Sequence, residues 1–122
     1  MDDQVLENHI KAGKIAAEAR EYSKEIVKPG AKLVDIAEEL EALIRKKGGE
    51  PAFPANLSIN ELAAHYTPYK NDLTVVPDNA IIKVDVGVHV DGYVADTAHT
   101  LCFDEKLMSL VEASRVALDN AI

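Results

Sequence analysis

The stretch that decides the fold is AIIKVDVGVHVDGYVADTAHTLCF, residues 80–103. Its first part is rich in β-branched residues and lies between Pro77-Asp78-Asn79 and Asp91-Gly92. An Asp-Gly pair between two such runs is a strong hairpin signal, because both central residues of a type I′ turn need positive φ. The sequence therefore predicts two antiparallel strands, Ala80–Val90 and Tyr93–Phe103, joined by a two-residue turn.

A two-residue turn sets which side chains share a face of this hairpin. Val90 would then oppose Tyr93, and Gly87 would oppose Asp96. Because side chains alternate along a strand, one face would carry Asp85, Gly87, His89, Val94, Asp96, Ala98 and Thr100. The other face would form a layer of the core from Val84, Val86, Val88, Val90, Tyr93, Ala95, Thr97, His99 and Leu101.

Asp85 and Asp96 would be diagonal neighbours on the first face, with backbones about 7–8 Å apart. Two carboxylates this close repel unless a proton or a cation compensates them, and a divalent metal ion, or a pair of ions, is a natural compensator. Gly87, directly across from Asp96, would leave open space for ions or substrate. Two alternatives stay open: both aspartates are ordinary solvated residues on a wet face, or a three-residue loop sends them to opposite faces.

Helices are predicted before and after the hairpin. Apolar residues recur at helical spacing from Asp2 to Val27, where Lys28-Pro29-Gly30 ends the helix. They recur again from Leu33 to Ile44, before the stop signal Gly48-Gly49. A third amphipathic helix starts at about Glu105 and has no stop residue, so the sequence looks cut inside this helix.

The segment between the second helix and the hairpin is predicted to be strand and loop. No helical period survives its four prolines, Pro51, Pro54, Pro68 and Pro77. Short β-compatible pieces occur at residues 52–53, 57–59 and 63–66. The fold class is therefore α+β, with two helices, an antiparallel sheet that contains a clear hairpin, and then a helix.

Few other residues suggest chemistry by type and position alone. His65, in Ala-Ala-His-Tyr-Thr-Pro, is more often a hydrogen-bonded structural residue than a catalyst in such a context. Phe53 is by default a core aromatic, and Cys102 a buried small hydrophobe. The pattern assigns no role to His9, His89 and His99.

Composition excludes several classes of protein. Lys and Arg total 13 against 21 Asp and Glu, which gives a net charge of -8 and argues against a nucleic-acid partner. One cysteine among 122 residues permits no intrachain disulfide. The longest uncharged stretch, Pro51–Asn60, is too short for a membrane span, and the start Met-Asp-Asp-Gln lacks the features of a signal peptide. We therefore expect a cytoplasmic protein that does not bind membranes.

Two segments carry a resemblance to a known family. FPANLSINELAAHYTP (53–68), followed by KVDVGVHVDGYVADTA (83–98), resembles the type 2 methionine aminopeptidases of the archaeal kind. The resemblance implies a pita-bread fold, in which two α+β halves related by a pseudo-twofold axis enclose two divalent metal ions (Co, Mn, Fe or Zn). It also implies that Asp85 and Asp96 are metal ligands, that His65 is a catalytic residue contacting the substrate, and that Phe53 lines the methionine pocket.

By the same resemblance, residues 1–122 would be the N-terminal half of a peptidase domain, without its second half. Three further ligands, one His and two Glu, and a second substrate-contacting histidine belong to the family's second half. The full-length protein would be a monomer that removes the initiator methionine from nascent proteins. The 122-residue chain alone would bind metal weakly, remain inactive and tend to self-associate through uncovered apolar surface.

Two other functions are compatible with this fold. An Xaa-Pro dipeptidase would share the fold and the ligand set, although the Ala-Ala-His-Tyr-Thr-Pro context argues against it. A non-catalytic pita-bread protein that serves as a binding module would typically have lost ligand residues. Asp85, Asp96 and His65 are all present here.

Overall fold

The computed structural model describes residues 1–122 and has the predicted α+β architecture. The elements in chain order are α1 (Asp3–Ile26), α2 (Leu33–Lys46), β1 (Glu50–Ile59), β2 (Ile81–Val90), β3 (Tyr93–Cys102), a 3₁₀ turn (Glu105–Leu107) and α3 (Met108–Ala121). The strands form one antiparallel sheet in the order β1-β2-β3. None of the helices has the length and apolar character needed to cross a bilayer.

The β2–β3 hairpin has the predicted register. Val90 pairs with Tyr93, Gly87 with Asp96, and the pairing continues without a bulge to the far end of the strands. Asp91 and Gly92 in the turn have φ of 50° and 83°, as a type I′ turn requires. The two-residue loop is therefore confirmed, and the alternative of a three-residue loop is wrong.

β1 differs from the prediction because it is one continuous strand that passes through Pro51 and Pro54. Its pairing with β2 shifts register on both sides of Phe53. Proline has no backbone N–H group to donate to a ladder of hydrogen bonds. It is therefore tolerated at the edge of a sheet, where the pairing is already irregular. The separate pieces predicted at 52–53 and 57–59 are thus parts of a single strand.

The piece predicted at residues 63–66 is not a strand but part of a loop that lies against β1. His65 has φ of 68°, which is left-handed and incompatible with an extended strand. The loop provides a hydrogen-bond acceptor for the outer edge of β1, because the Leu57 amide donates to the Tyr66 carbonyl at 2.7 Å. Pro68 prevents a regular ladder from continuing through this segment.

α1 and α2 pack on one face of the sheet and form the core with it. β2 contributes the fully buried Val84, Val86 and Val88. The helices contribute a buried stripe that consists of Ala12, Ile15, Ala16, Ala19, Leu33, Ile36, Leu40 and Ile44. The apolar face predicted for the hairpin is confirmed, and its opposite face, which carries Asp85 and Asp96, is not covered by helices.

α3 contributes nothing to this core. None of its residues is buried, and Leu110 and Leu118 are 63% and 60% exposed. The apolar stripe that predicted this helix is therefore real in the sequence, but the chain leaves most of it exposed.

His99 points toward the helices, as the register predicted, and it ties β3 to α1. Its Nε2 lies 2.7 Å from Oγ of Ser23, and the Ser23 hydroxyl donates to the Arg20 carbonyl at 2.6 Å. Since that hydroxyl has only one proton, Nε2–H of His99 is the donor to Ser23. Burial and the nearby charges of Lys24 and Arg20 lower the pKa of His99 to about 4.

The lowered pKa of His99 predicts a loss of stability in mild acid. A neutral native imidazole adds stability above the unfolded-state pKa of about 6.5, and this stability is lost as the pH falls toward 4. Because His99 is half-exposed, we expect about 1–2 kcal/mol rather than the full value of the shift. Urea unfolding of metal-free wild type and His99→Gln at pH 7 and pH 4.5 measures it. Equal pH dependence of the two proteins would contradict the prediction.

Candidate metal centre

Asp85 and Asp96 lie on the open face of the sheet, one on the central strand and one on its neighbour. Asp85 opposes Ala98, and Asp96 opposes Gly87, so the two carboxylates are diagonal neighbours. Asp96 is exposed and Asp85 is half-buried. Oδ1 of Asp85 is completely buried and has no hydrogen-bond partner.

The electrostatics of Asp85 are those of a carboxylate that lacks a counter-charge. Burial raises its pKa, and the negative charge of Asp96 raises it further. Asn56, which opposes Asp85 on β1, and the charge of His65 act in the other direction without cancelling the rise. In the metal-free chain, the two carboxylates therefore repel each other and this repulsion is not fully compensated.

Asp85 and Asp96 suit a divalent cation by their chemistry. An orphaned, buried carboxylate oxygen next to a second carboxylate is a donor set that hard cations prefer. The chain contains no group of three or more His, Cys, Asp or Glu side chains arranged to hold a metal ion. The two aspartates therefore fit a metal site but supply only part of its ligands.

His65 lies in the loop that follows β1, and its exposed side chain is near enough to Asp85 to influence the pKa of that carboxyl. A non-glycine residue with φ of 68° costs about 1–3 kcal/mol and persists only where its surroundings determine the backbone. The fold therefore brings His65 within electrostatic range of Asp85. It does not join them in a cluster of three ligands.

Phe53 is not the core aromatic expected by default; it is half-buried on the open face beside the aspartates. It pairs with Gly87 across β1 and β2, and a Cβ added to Gly87 would collide with its ring. The space that Gly87 was expected to leave for ions or substrate is thus filled by the ring of Phe53. This places one aromatic ring directly next to the strand position opposite Asp96.

Asn56 lies beside Asp85, while Tyr66 and Asp72 belong to the loop that follows His65, and the sequence singled out none of the three. Asn56 is opposite Asp85 only because of the register shifts in β1, which two prolines hid. Tyr66 and Asp72 form a hydrogen bond across a loop of irregular backbone. The only sequence feature that could have drawn attention to Asp72 is its position in a loop segment that is rich in turn-forming residues.

The remaining histidines and Cys102 have local structural roles. Nδ1 of His89 accepts a hydrogen bond from the Gly92 amide at 3.2 Å and caps the hairpin turn. The His9 ring meets the Tyr93 ring edge-on, with centroids 5.2 Å apart. Cys102 is half-buried rather than buried, and its Sγ lies 3.1 Å from the Asp104 carbonyl.

The fold and the paired aspartates define a class of metallopeptidase. The model of metallopeptidase family M24 matches residues 7–122, and the chain belongs to this family. Members of a metallopeptidase family act through divalent metal ions, which agrees with the donor chemistry of the open face.

Within this family, the chain is similar to methionine aminopeptidases. It is 57% identical over 113 residues to the methionine aminopeptidase of Thermococcus kodakarensis, covering 93% of this chain and 38% of that protein. The solved methionine aminopeptidase of Thermotoga maritima superposes with a TM-score of 0.92 at 28% identity, over 100% of this chain and 53% of that one. The X-Pro aminopeptidase of the same organism superposes less well, with a TM-score of 0.72 at 25% identity over 84% of this chain and 29% of that one.

The chain thus spans about two fifths of the length of the curated relative that it matches. The expected family and α+β half-fold are confirmed by these likenesses.

Proposed function

We propose that this chain forms one side of the metal centre of a methionyl aminopeptidase, which removes methionine from the N-termini of nascent peptides and proteins. The observation that carries the proposal is the pair Asp85 and Asp96 on an uncovered face, with an orphaned Oδ1 on Asp85. The likeness to methionine aminopeptidases over nearly the whole chain supports the substrate class.

In this proposal, Asp85 and Asp96 ligate two divalent ions, which are Co, Mn, Fe or Zn. Bound metal would supply an activated water and polarise the scissile carbonyl. Asp85 is held by its place on the central strand, and Asp96 by unbroken pairing with that strand. His65 contacts the substrate from the loop beside them, and the ring of Phe53 lines the pocket for the methionine side chain.

The two aspartates alone do not complete the coordination of hard divalent cations, which take about six donors. We therefore expect the purified 122-residue chain to bind Mn²⁺ or Co²⁺ weakly and not to hydrolyse a Met-Ala-Ser peptide. A colorimetric assay for released methionine, with the metal-only reaction as the blank, measures this. Hydrolysis well above the blank by the chain alone would contradict the expectation.

A chimera tests the role of this chain in a complete enzyme. Residues 1–122 would replace the matching segment of the Thermococcus kodakarensis relative, with which they are 57% identical. We expect the chimera to release methionine from Met-Ala-Ser and to lose this activity with Asp96→Asn. A folded chimera without activity would overturn the proposal.

The same chimera separates the alternatives. An Xaa-Pro dipeptidase would cleave Ala-Pro in preference to Met-Ala-Ser, and a binding module would cleave neither. The higher TM-score to a methionine aminopeptidase than to an X-Pro aminopeptidase favours the first substrate. The presence of both aspartates and of His65 favours a catalytic protein over a module.

The proposal also covers location and partners. The net charge of -8 argues against nucleic acid as a partner, and we propose a cytoplasmic protein that is monomeric when complete and does not bind membranes. The 122-residue chain alone would self-associate, because Leu110 and Leu118 on α3 are exposed. Sedimentation of the chain and of the chimera would measure both states.

A further inference from the structure

The turn of the β2–β3 hairpin consists of Asp91 and Gly92, and both residues are exposed. Val90 and Tyr93 form the pair of the ladder that lies nearest to this turn. The Gly92 amide lies outside the ladder and donates instead to Nδ1 of His89 at 3.2 Å. The side chain of His89 therefore holds the peptide group that joins the two turn residues.

An aspartate followed by glycine can rearrange its own backbone. The Gly92 nitrogen attacks Cγ of Asp91, a bond forms between these atoms, and the amide proton and the carboxyl hydroxyl leave as water. Water then opens the resulting succinimide ring. Opening at the main-chain carbonyl of Asp91 gives isoaspartate, in which the chain runs through the side-chain carbons. Glycine favours the attack, because it has no Cβ to shield its nitrogen.

The geometry of the turn opposes this reaction. Asp91 has φ of 50° and is the first central residue of a type I′ turn, for which ψ is about 30°. At this ψ the Gly92 nitrogen lies almost opposite to Cβ of Asp91 about the Cα–C bond, whereas ring closure requires the two atoms to eclipse. The folded turn therefore keeps the nitrogen away from Cγ.

A flip of one peptide group removes this protection and leaves the hairpin intact. The other common two-residue turn, type II′, has ψ of about −120° at its first central residue, and there the nitrogen eclipses Cβ. Gly92 can take the φ of either turn. Because the flip carries the Gly92 N–H away from Nδ1 of His89, this hydrogen bond must break before the ring can close.

We propose that Asp91 is a site of isoaspartate formation and that His89 restrains the reaction by holding the Gly92 amide. Conversion adds one carbon to the main chain of a turn whose length sets the register of Asp85 and Asp96. The proposal does not depend on the metal function, since it involves only the turn and the side chain that caps it.

His89→Phe tests the restraint. Phenylalanine keeps an aromatic ring that suits a strand, but it lacks the acceptor nitrogen. Loss of one such hydrogen bond should increase the flipped population, and with it the rate of isoaspartate formation, about fivefold. His89→Leu serves as the second variant if His89→Phe does not fold, and thermal unfolding checks both.

His89→Asn is the matched rescue variant. Its Oδ1 lies at the same number of bonds from the backbone as Nδ1 of histidine, so it can accept from the Gly92 amide. We expect isoaspartate formation within about twofold of the wild-type rate. Asparagine is less suited to a strand than phenylalanine, so a general loosening of the hairpin would make His89→Asn the faster of the two variants.

The rates are measured on the 122-residue chain and its variants, incubated at neutral pH. Proteolytic digestion and chromatography then separate the isoaspartyl peptide from the aspartyl peptide, which has the same mass. A synthetic peptide of residues 85–98 gives the rate without the fold. We expect this peptide to convert at least about tenfold faster than the folded wild type, because the turn protects Asp91.

Each comparison can overturn the proposal. Equal rates for folded His89→Phe and the wild type would show that His89 does not restrain the reaction. A wild-type rate as high as that of the peptide would show that the turn gives no protection. A rate for His89→Asn as high as that for His89→Phe would mean that the acceptor atom is not the cause.

Discussion

Asp85→Asn is expected to abolish the rise in thermal midpoint that Mn²⁺ or Co²⁺ gives the wild-type chain. Saturation of a site at 10 times its Kd stabilises a protein by about 1.4 kcal/mol, and this term vanishes when the site is lost. An amide keeps the shape of the carboxylate but removes the charge that binds a hard cation. In the chimera the same change should lower kcat/KM by about 10³-fold or more, since it removes one of the two proposed metal ligands.

The metal-free chain should respond to Asp85→Asn in the opposite direction. Asp85 is half-buried, with an orphaned oxygen, and it repels Asp96, so its removal should raise the free energy of unfolding at pH 7. Burial and Asp96 raise the pKa of Asp85, so the wild type loses stability as the pH rises from the unfolded-state pKa through the raised one. The gain from the substitution should therefore disappear at low pH.

Asp91→Asn is the matched control for Asp85→Asn. It removes one negative charge from the same hairpin, at an exposed turn position with φ of 50° that asparagine suits well. We expect it to keep the full response to Mn²⁺. Urea unfolding with and without metal measures the free energy of unfolding of the wild type, Asp85→Asn and Asp91→Asn. Stabilisation of Asp85→Asn by metal to the same extent as the wild type would show that this carboxylate is not a ligand.

The hairpin and the pairing of Asp85 with Asp96 could be predicted because they depend on local rules. Asp91-Gly92 permits one turn geometry, and side-chain alternation then places every residue of both strands. No tertiary information is needed for that step, and the register agrees with the structure along the whole ladder.

The surroundings of the aspartates could not be predicted, because they depend on contacts between distant segments. Pro51 and Pro54 hid a continuous strand, so the approach of Phe53 and Asn56 to β2 was invisible. His65 has a left-handed backbone that a sequence pattern does not indicate. Sequence alone therefore predicts the two aspartates correctly as a pair but not what packs around them.

Gly87→Ala is the second substitution with a large expected effect. Gly87 is buried on the central strand, and an added Cβ would overlap the ring of Phe53. Since backbone pairing on both sides fixes β2, the ring of Phe53 must move instead. Overpacking of this kind costs about 1–3 kcal/mol, and we expect about 2 kcal/mol, or roughly 10 °C in thermal midpoint.

Gly13→Ala is the control for the addition of a methyl group as such. A Cβ at Gly13 meets nothing within 4 Å, and the residue lies inside α1. Alanine in a helix is favoured over glycine by about 0.5–1 kcal/mol, so this variant should be more stable than the wild type. Gly87→Ala and Gly13→Ala should thus shift the urea midpoint in opposite directions.

A double-mutant cycle with Phe53→Ala identifies the cause of the loss. If the ring of Phe53 is what the new methyl group meets, Gly87→Ala should cost little in the Phe53→Ala background, because the space is then free. A cost of about 2 kcal/mol in both backgrounds would mean that the strand itself requires glycine. In the chimera, displacement of Phe53 by Gly87→Ala should also reduce the preference for Met-Ala-Ser over Ala-Ala-Ser, because the pocket proposed for the methionine side chain includes that ring.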